Sequence, residues 1–111
     1  MTTVTILHRA PWIVGFLAEG HTGYAEEGED IVCAAVSAIT QTAMMGLKHF
    51  APDTFSQWRE GDAPLLEVRV AHPTKETQVI LETMVIGLED ILSGVPQYVR
   101  ILHTGSEVES K

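Results

Sequence analysis

An almost continuous apolar segment, from residue 31 to about residue 48, constrains the fold of this chain more than any other feature. Its larger apolar residues recur at helical spacing: Val32, Val36, Ile39, Ala43 and Leu47. Small residues fill most of the remaining positions, so the pattern predicts a helix that is buried on most of its sides. Polar residues between positions 37 and 42 interrupt the segment, and we therefore expect it to fall short of a membrane-spanning helix.

One polar row runs along this predicted helix. Cys33, Ser37 and Gln41 are spaced four residues apart, which places their side chains on the same helical face. Asp30 directly precedes the run of helix-compatible residues and is predicted to be the N-cap. With Asp30 as the cap, Cys33 is expected in the first helical turn.

Shorter segments on both sides of the helix have the period of two that indicates β-strands. Residues 4–9 and 12–17 are predicted to form a hairpin, residues 54–59 and 65–70 two further strands, and residues 98–102 the last strand. A second helix is predicted between an N-cap at Thr74 and a stop at Gly94 and Pro96. The order β-β-α-β-β-α-β predicts an α+β two-layer sandwich, with a mixed, mostly antiparallel sheet of about five strands and two helices. At 111 residues and without a repeat or linker, residues 1–111 are expected to form a single domain.

The charge balance disfavours a nucleic-acid-binding role. The chain has 7 basic and 15 acidic side chains, a formal net charge of -8. An acidic surface repels phosphate backbones, so any macromolecular partner is expected to be basic.

The single cysteine, Cys33, excludes an intrachain disulfide and a cysteine-based zinc cluster. The first residues also lack the basic region and apolar core of a secretory signal. We therefore expect a soluble, cytoplasmic protein in a reducing compartment, with no membrane association.

Cys33 has two interpretations. A free cysteine on an apolar helix usually serves as a small buried hydrophobic residue. The first turn of a helix, however, favours a thiolate, and its N–H groups could hold an oxyanion. His21 lies in the glycine-rich loop just before the helix, and an imidazole is the usual partner that activates a cysteine nucleophile.

Two stretches of the sequence resemble the signature of the ribosomal-processing cysteine protease (Prp) family. They are residues 20–25 (GHTGYA) and residues 28–38 (GEDIVCAAVSA), with the histidine–cysteine spacing intact. The similarity continues through residues 40–42 and 46–47, is weaker at Gly87 and Leu88, and returns at residues 98–99. Thr22 departs from the alanine or serine that is usual in the family, and residues 52–63 have no strong family pattern.

The resemblance implies an intracellular bacterial endopeptidase that removes a short N-terminal extension from a large-subunit ribosomal protein, the twenty-seventh. It assigns Cys33 as the nucleophile and His21 as the general base, which later protonates the leaving amine. Asp30 and Ser37 match a family aspartate and serine and are expected to support the site with Gly20, although a cap and a polar helix residue would explain them equally well. No cofactor and no metal are implied.

The resemblance also implies a homodimer and an apolar groove beside Cys33, because the family's cleavage sites carry apolar and aromatic residues. The acidic stretch at residues 26–29 (EEGE) is either a solvated loop or a flap that attracts a basic ribosomal protein precursor.

Two alternatives stay open at this point. The chain could be a non-catalytic module that binds a ribosomal protein, with Cys33 in the core, or a thiol redox or acyl-transfer enzyme, although a Cys-x-x-Cys pair is absent. No role is assigned to the remaining histidines, which are His8, His49, His72 and His103. Met44 and Met45 are interpreted as core or groove packing.

Overall fold

The structure is a computed structural model that describes residues 1–20, 29–61 and 64–105. Its elements are β1 (Thr2–Arg9), β2 (Trp12–Glu19), α1 (Glu29–Phe50), β3 (Phe55–Arg59), β4 (Leu65–Arg69), α2 (Lys75–Gly94) and β5 (Val99–Gly105). This order confirms the predicted α+β architecture. The last strand is longer than the sequence suggested, so His103 belongs to β5 and not to a polar tail.

The first strand in the chain occupies an interior position in the sheet. The strand order is β3-β4-β2-β1-β5. β1 pairs with β5 in parallel, from Thr2 opposite Val99 to His8 opposite Gly105, and the other pairings are antiparallel. The sheet is therefore mixed and mostly antiparallel, as predicted, and β1 is held on one edge by β2 and on the other by β5.

One apolar cluster joins the helices to one face of the sheet. Its members with 0 % exposure are Val4, Ile6, Phe16, Leu47, Val68, Leu81 and Leu88. Burying each such side chain contributes about 1.5–3 kcal/mol relative to leaving it in water. This cluster fixes both helices against the sheet and so determines which face of α1 is left free.

The prediction that α1 is buried on most sides is wrong. Only one face of the helix meets the sheet and α2, because the fold has just two layers. Ile31 is 74 % exposed and Met45 is 58 % exposed, whereas Val36 and Leu47 are buried. The segment Asp30–Phe50 also has the length and apolar composition of a possible membrane span, so the expectation that it falls short is wrong on that criterion, although its buried face belongs to the core.

The ends of α2 follow the sequence prediction. Thr74 is the N-cap: its hydroxyl accepts a hydrogen bond from the Thr77 N–H at 3.2 Å. The Thr77 hydroxyl accepts in return from the Thr74 N–H at 2.8 Å, which forms a capping box with threonine in the reciprocal position. The helix ends at Gly94.

A close approach of β2 to β4 requires glycine at position 15. Gly15 has φ of +156°, a backbone conformation that other residues rarely adopt. It lies opposite Arg69 of β4, and a Cβ at this position would overlap the carbonyl oxygen of Val68. The strands can lie this close only because no side chain separates them.

Candidate active site

Cys33 lies in the second turn of α1, because the helix already begins at Glu29. The prediction that Asp30 is the N-cap is therefore wrong: Asp30 is an exposed residue inside the first turn. The helix starts two residues earlier than the sequence suggested, since residues 29 and 30 are both part of it. Since the unpaired N–H groups of a helix belong to its first turn, the N-terminal dipole acts on Cys33 less directly than the sequence implied.

The Cys33 side chain is partly exposed and absent from the buried core cluster. Its Sγ lies 2.9 Å from the Oγ1 of Thr2 on β1. Both residues line a cavity of about 160 Å³ between α1 and the sheet. A thiol on the wall of a cavity is accessible to a substrate, which favours the reactive interpretation of Cys33 over the core interpretation.

The polar row predicted on α1 faces this cavity. Ser37 and Gln41 line it together with Cys33. The sheet contributes apolar side chains to the same wall, namely Ala18, Trp58 and Leu66, and α1 adds Val36. A mainly apolar pocket with a few polar groups is typical of a binding site, and it matches the apolar surface expected beside Cys33.

A second cavity, of about 280 Å³, continues along α1 and β3. It shares Gln41, Trp58 and Leu66 with the first cavity and is also lined by Met44. We call the two cavities together the Cys33 groove. Met44 thus packs in a groove, as predicted, whereas Met45 is exposed.

Gly20 lines the groove and directly precedes the predicted general base in the sequence. It lines the cavity that holds Cys33, and its N–H donates to the Pro64 carbonyl at 3.2 Å. His21 follows Gly20 directly in the sequence, but it lies outside the described residues, as do residues 26–28 of the acidic stretch. The pairing of His21 with Cys33 and the acidic flap therefore stay predictions.

Thr2 and Trp58 were missed by the sequence analysis. β1 begins at Thr2, two residues before its predicted start. Because side chains in a strand alternate, Thr2 shares the helix-facing side with Val4, and this period could have identified it. Nothing local marks Trp58 as a groove residue, since its position depends on β3 lying alongside α1.

The other histidines lie outside the groove. His8 Nε2 is 2.8 Å from His103 Nδ1, a proximity that the sequence spacing did not reveal. Burial and then the charge of His103 lower the pKa of His8. His72 Nδ1 lies 2.6 Å from an oxygen of Asp53. In the described part of the chain, no group of three or more histidine, cysteine or acidic side chains could hold a metal ion.

A partly exposed thiol on the wall of an elongated, mostly apolar groove is an arrangement that a cysteine peptidase can use. A sequence model of the family described as "Cysteine protease Prp" matches residues 1–100. The chain therefore belongs to the Prp cysteine protease family.

Individual relatives agree with this assignment. The chain is 31 % identical over 85 residues to the ribosomal processing cysteine protease Prp of Mycoplasma genitalium, covering 77 % of this chain and 83 % of that protein. It is 29 % identical over 92 residues to the Prp of Staphylococcus aureus, covering 80 % and 85 %.

Solved structures share the fold. A Streptococcus mutans protein superposes with a TM-score of 0.81 at 24 % identity, covering 96 % of both chains. The S. aureus Prp in complex with a substrate peptide superposes with a TM-score of 0.76 at 23 % identity, covering 94 % of this chain and 100 % of that one.

Proposed function

We propose that this protein is an endopeptidase that removes the short N-terminal extension of a large-subunit ribosomal protein, the twenty-seventh, during ribosome assembly. The observation that carries the proposal is the position of Cys33. Its thiol lines a groove in which the first cavity continues into a second one along α1 and β3, with Trp58 lining both. Support for the substrate comes from the relatives, which are named ribosomal processing proteases, and from the S. aureus Prp with a substrate peptide.

In the proposed reaction, the Cys33 thiolate attacks the carbonyl carbon of the scissile peptide bond, with its proton held by His21. The tetrahedral intermediate collapses, the C–N bond breaks, and His21 protonates the leaving amine. A water molecule, deprotonated by His21, then attacks the thioester. The C–S bond breaks, the carboxylic acid product leaves, and the thiol and the imidazole return to their initial states.

The groove and the overall charge suit such a substrate. The exposed Trp58 and the half-buried Ala18 and Met44 offer apolar contacts for the aromatic and aliphatic residues of an extension. Glu19 lines the same cavity, and the net charge of -8 attracts the basic body of a ribosomal protein precursor. The same charge supports the proposal that the protein does not bind nucleic acid directly.

We also propose that the protein acts as a cytoplasmic homodimer without membrane association. The outer side of the helical layer supports association. An apolar groove of about 630 Å³ lies between α1 and α2, and Phe50 and Val79 line it while being more than half exposed. Exposed apolar patches of this kind mark interaction surfaces.

The test uses a synthetic peptide that spans the extension and the basic start of the ribosomal protein from the same organism, with products identified by mass. We expect the wild-type protein to cut once and Cys33→Ala to leave the peptide intact while still binding it. Cleavage by Cys33→Ala, or an intact peptide with wild-type protein, would contradict the proposal. Binding without cleavage by the wild-type protein would instead identify a non-catalytic binding module.

A further inference from the structure

We propose that Thr2 is a positioning residue for the Cys33 nucleophile. Its hydroxyl holds Sγ against the wall of the cavity and donates a hydrogen bond to the thiolate when it forms. The Oγ1 to Sγ distance is 2.9 Å, and both side chains line the same cavity. This inference rests on the proposed function in one respect, namely that Cys33 is the nucleophile.

The position of Thr2 is fixed by the sheet. The residue is 5 % exposed, its N–H donates to the Tyr98 carbonyl at 2.9 Å, and it lies opposite Val99 in the parallel ladder. A β-branched side chain in a strand has few rotamers. The hydroxyl is thus presented to Cys33 from a rigid support, across 31 residues of sequence.

The Thr2 hydroxyl replaces hydrogen bonds that the Cys33 thiol would otherwise make with water. Cys33 is partly buried, and a polar group withdrawn from water needs a hydrogen-bond partner in the protein. A hydrogen bond to a charged acceptor is stronger than one between neutral groups. Thr2 supplies that bond to the thiolate, and in the neutral state the same hydroxyl can accept from the S–H group.

The test compares Thr2→Val, which keeps the shape and removes the hydroxyl, with Thr2→Ser, which keeps the hydroxyl. Thr3→Val is the matched control, because Thr3 is the next residue on β1 and its side chain faces the opposite side of the sheet. The rate of Cys33 alkylation by iodoacetamide is measured between about pH 5 and 9, a range that includes the ordinary thiol titration. Cleavage of the extension peptide gives kcat and KM separately.

We expect Thr2→Val to slow alkylation at neutral pH by about tenfold, the size expected for the loss of one hydrogen bond to a charged group. Its pH profile should move to higher pH, and kcat should fall with little change in KM. Thr2→Ser should stay near wild type, and so should Thr3→Val. Equal alkylation profiles for Thr2→Val and wild type would overturn the proposal. So would a Thr2→Ser variant as impaired as Thr2→Val, since only packing would then matter.

The alkylation readout does not depend on protease activity. A Thr2-dependent alkylation profile in a wild-type protein that cuts no peptide would contradict the proposed function and support the positioning role. Normal cleavage together with an alkylation profile that does not depend on Thr2 would support the proposed function and contradict the positioning role. Thermal melts establish that each variant is folded, and if Thr2→Val fails to fold, Thr2→Ala compared with Thr2→Ser gives the same contrast.

Discussion

The imidazole rings of His8 and His103 lie side by side where β1 meets β5, with Nε2 of the first 2.8 Å from Nδ1 of the second. Their ring centroids are 5.1 Å apart. At this distance one ring donates and the other accepts only while at least one of them is neutral. The contact therefore joins the edge strand to its neighbour in a pH-dependent way.

This contact predicts a loss of stability in acid. Burial, and secondly the charge of His103, lower the pKa of His8 from its ordinary value of 6.5. A histidine with a lowered pKa favours the neutral form in the folded state. Its contribution to the free energy of unfolding is therefore complete above about pH 6.5, and it is lost as the pH falls through the lower pKa of the folded state. We expect the Tm to fall between about pH 7.5 and 5, and His8→Gln to reduce that dependence.

The control for this experiment is His49→Gln, since His49 is an exposed histidine on α1. Its pH dependence should follow that of the wild-type protein. If His8→Gln and His49→Gln show the same dependence as wild type, the His8–His103 contact has no role in acid stability.

Trp58→Ala is expected to weaken substrate binding. Trp58 lines both parts of the Cys33 groove, so the variant loses apolar contact with the substrate, and KM for the extension peptide should rise about tenfold. Phe55→Ala is a matched control, because Phe55 is an aromatic residue of the same strand with similar exposure, 49 % against 53 %, on the opposite face of the sheet. Equal effects of the two substitutions on KM would show that the groove is not the peptide-binding site.

Gly15→Ala is expected to destabilise the fold by about 2–3 kcal/mol, since the added Cβ overlaps the Val68 carbonyl and the backbone conformation is strained for alanine. Gly94→Ala is the control, because a Cβ at position 94 meets nothing within 4 Å. Chemical denaturation measures the free energy of unfolding of both variants. Similar unfolding free energies for the two variants would show that β4 can move away from β2 without cost.

Thr74→Ala is expected to lower the free energy of unfolding by about 1 kcal/mol, because it removes the acceptor for the Thr77 N–H at the start of α2. Thr83→Ala, at an exposed position in the middle of the same helix, removes only a hydroxyl that donates to the Val79 carbonyl and should be neutral or slightly stabilising, because alanine has the higher helix propensity. Urea titration of both variants measures the difference. A loss as large for Thr83→Ala, against the gain in helix propensity, would show that removal of any threonine hydroxyl from this helix, and not of the cap in particular, lowers its stability.

Features set by neighbouring residues were the ones that the sequence predicted well. Thr74 and Gly94 mark the ends of α2 through local backbone chemistry, and the spacing of Cys33, Ser37 and Gln41 placed all three on one wall of the cavity. The start of α1 was misplaced by two residues, at Ile31 instead of Glu29, because Asp30 is as suitable inside a first turn as at a cap.

Contacts that depend on the order of the strands in the sheet could not be predicted from the hydrophobic pattern of the sequence. Thr2 reaches Cys33, and His8 reaches His103, because β1 lies inside the sheet and next to the last strand. The Trp58 side chain joins the groove because β3 runs alongside α1. The Thr2–Cys33 and His8–His103 contacts connect residues 31 and 95 positions apart, and no local propensity specifies which strands become neighbours.

The parallel pairing of β1 with β5 makes the surroundings of the thiol depend on the first and the last strand of the sheet at once. During synthesis, α1 and Cys33 are complete long before Val99 is added, yet until then β1 has one open edge and Thr2 has neither its ladder partner Val99 nor the Tyr98 carbonyl as an acceptor. The support for the Cys33 side chain is therefore completed only when β5 joins the sheet. A chain that stops before that strand keeps the cysteine but not the frame that holds it.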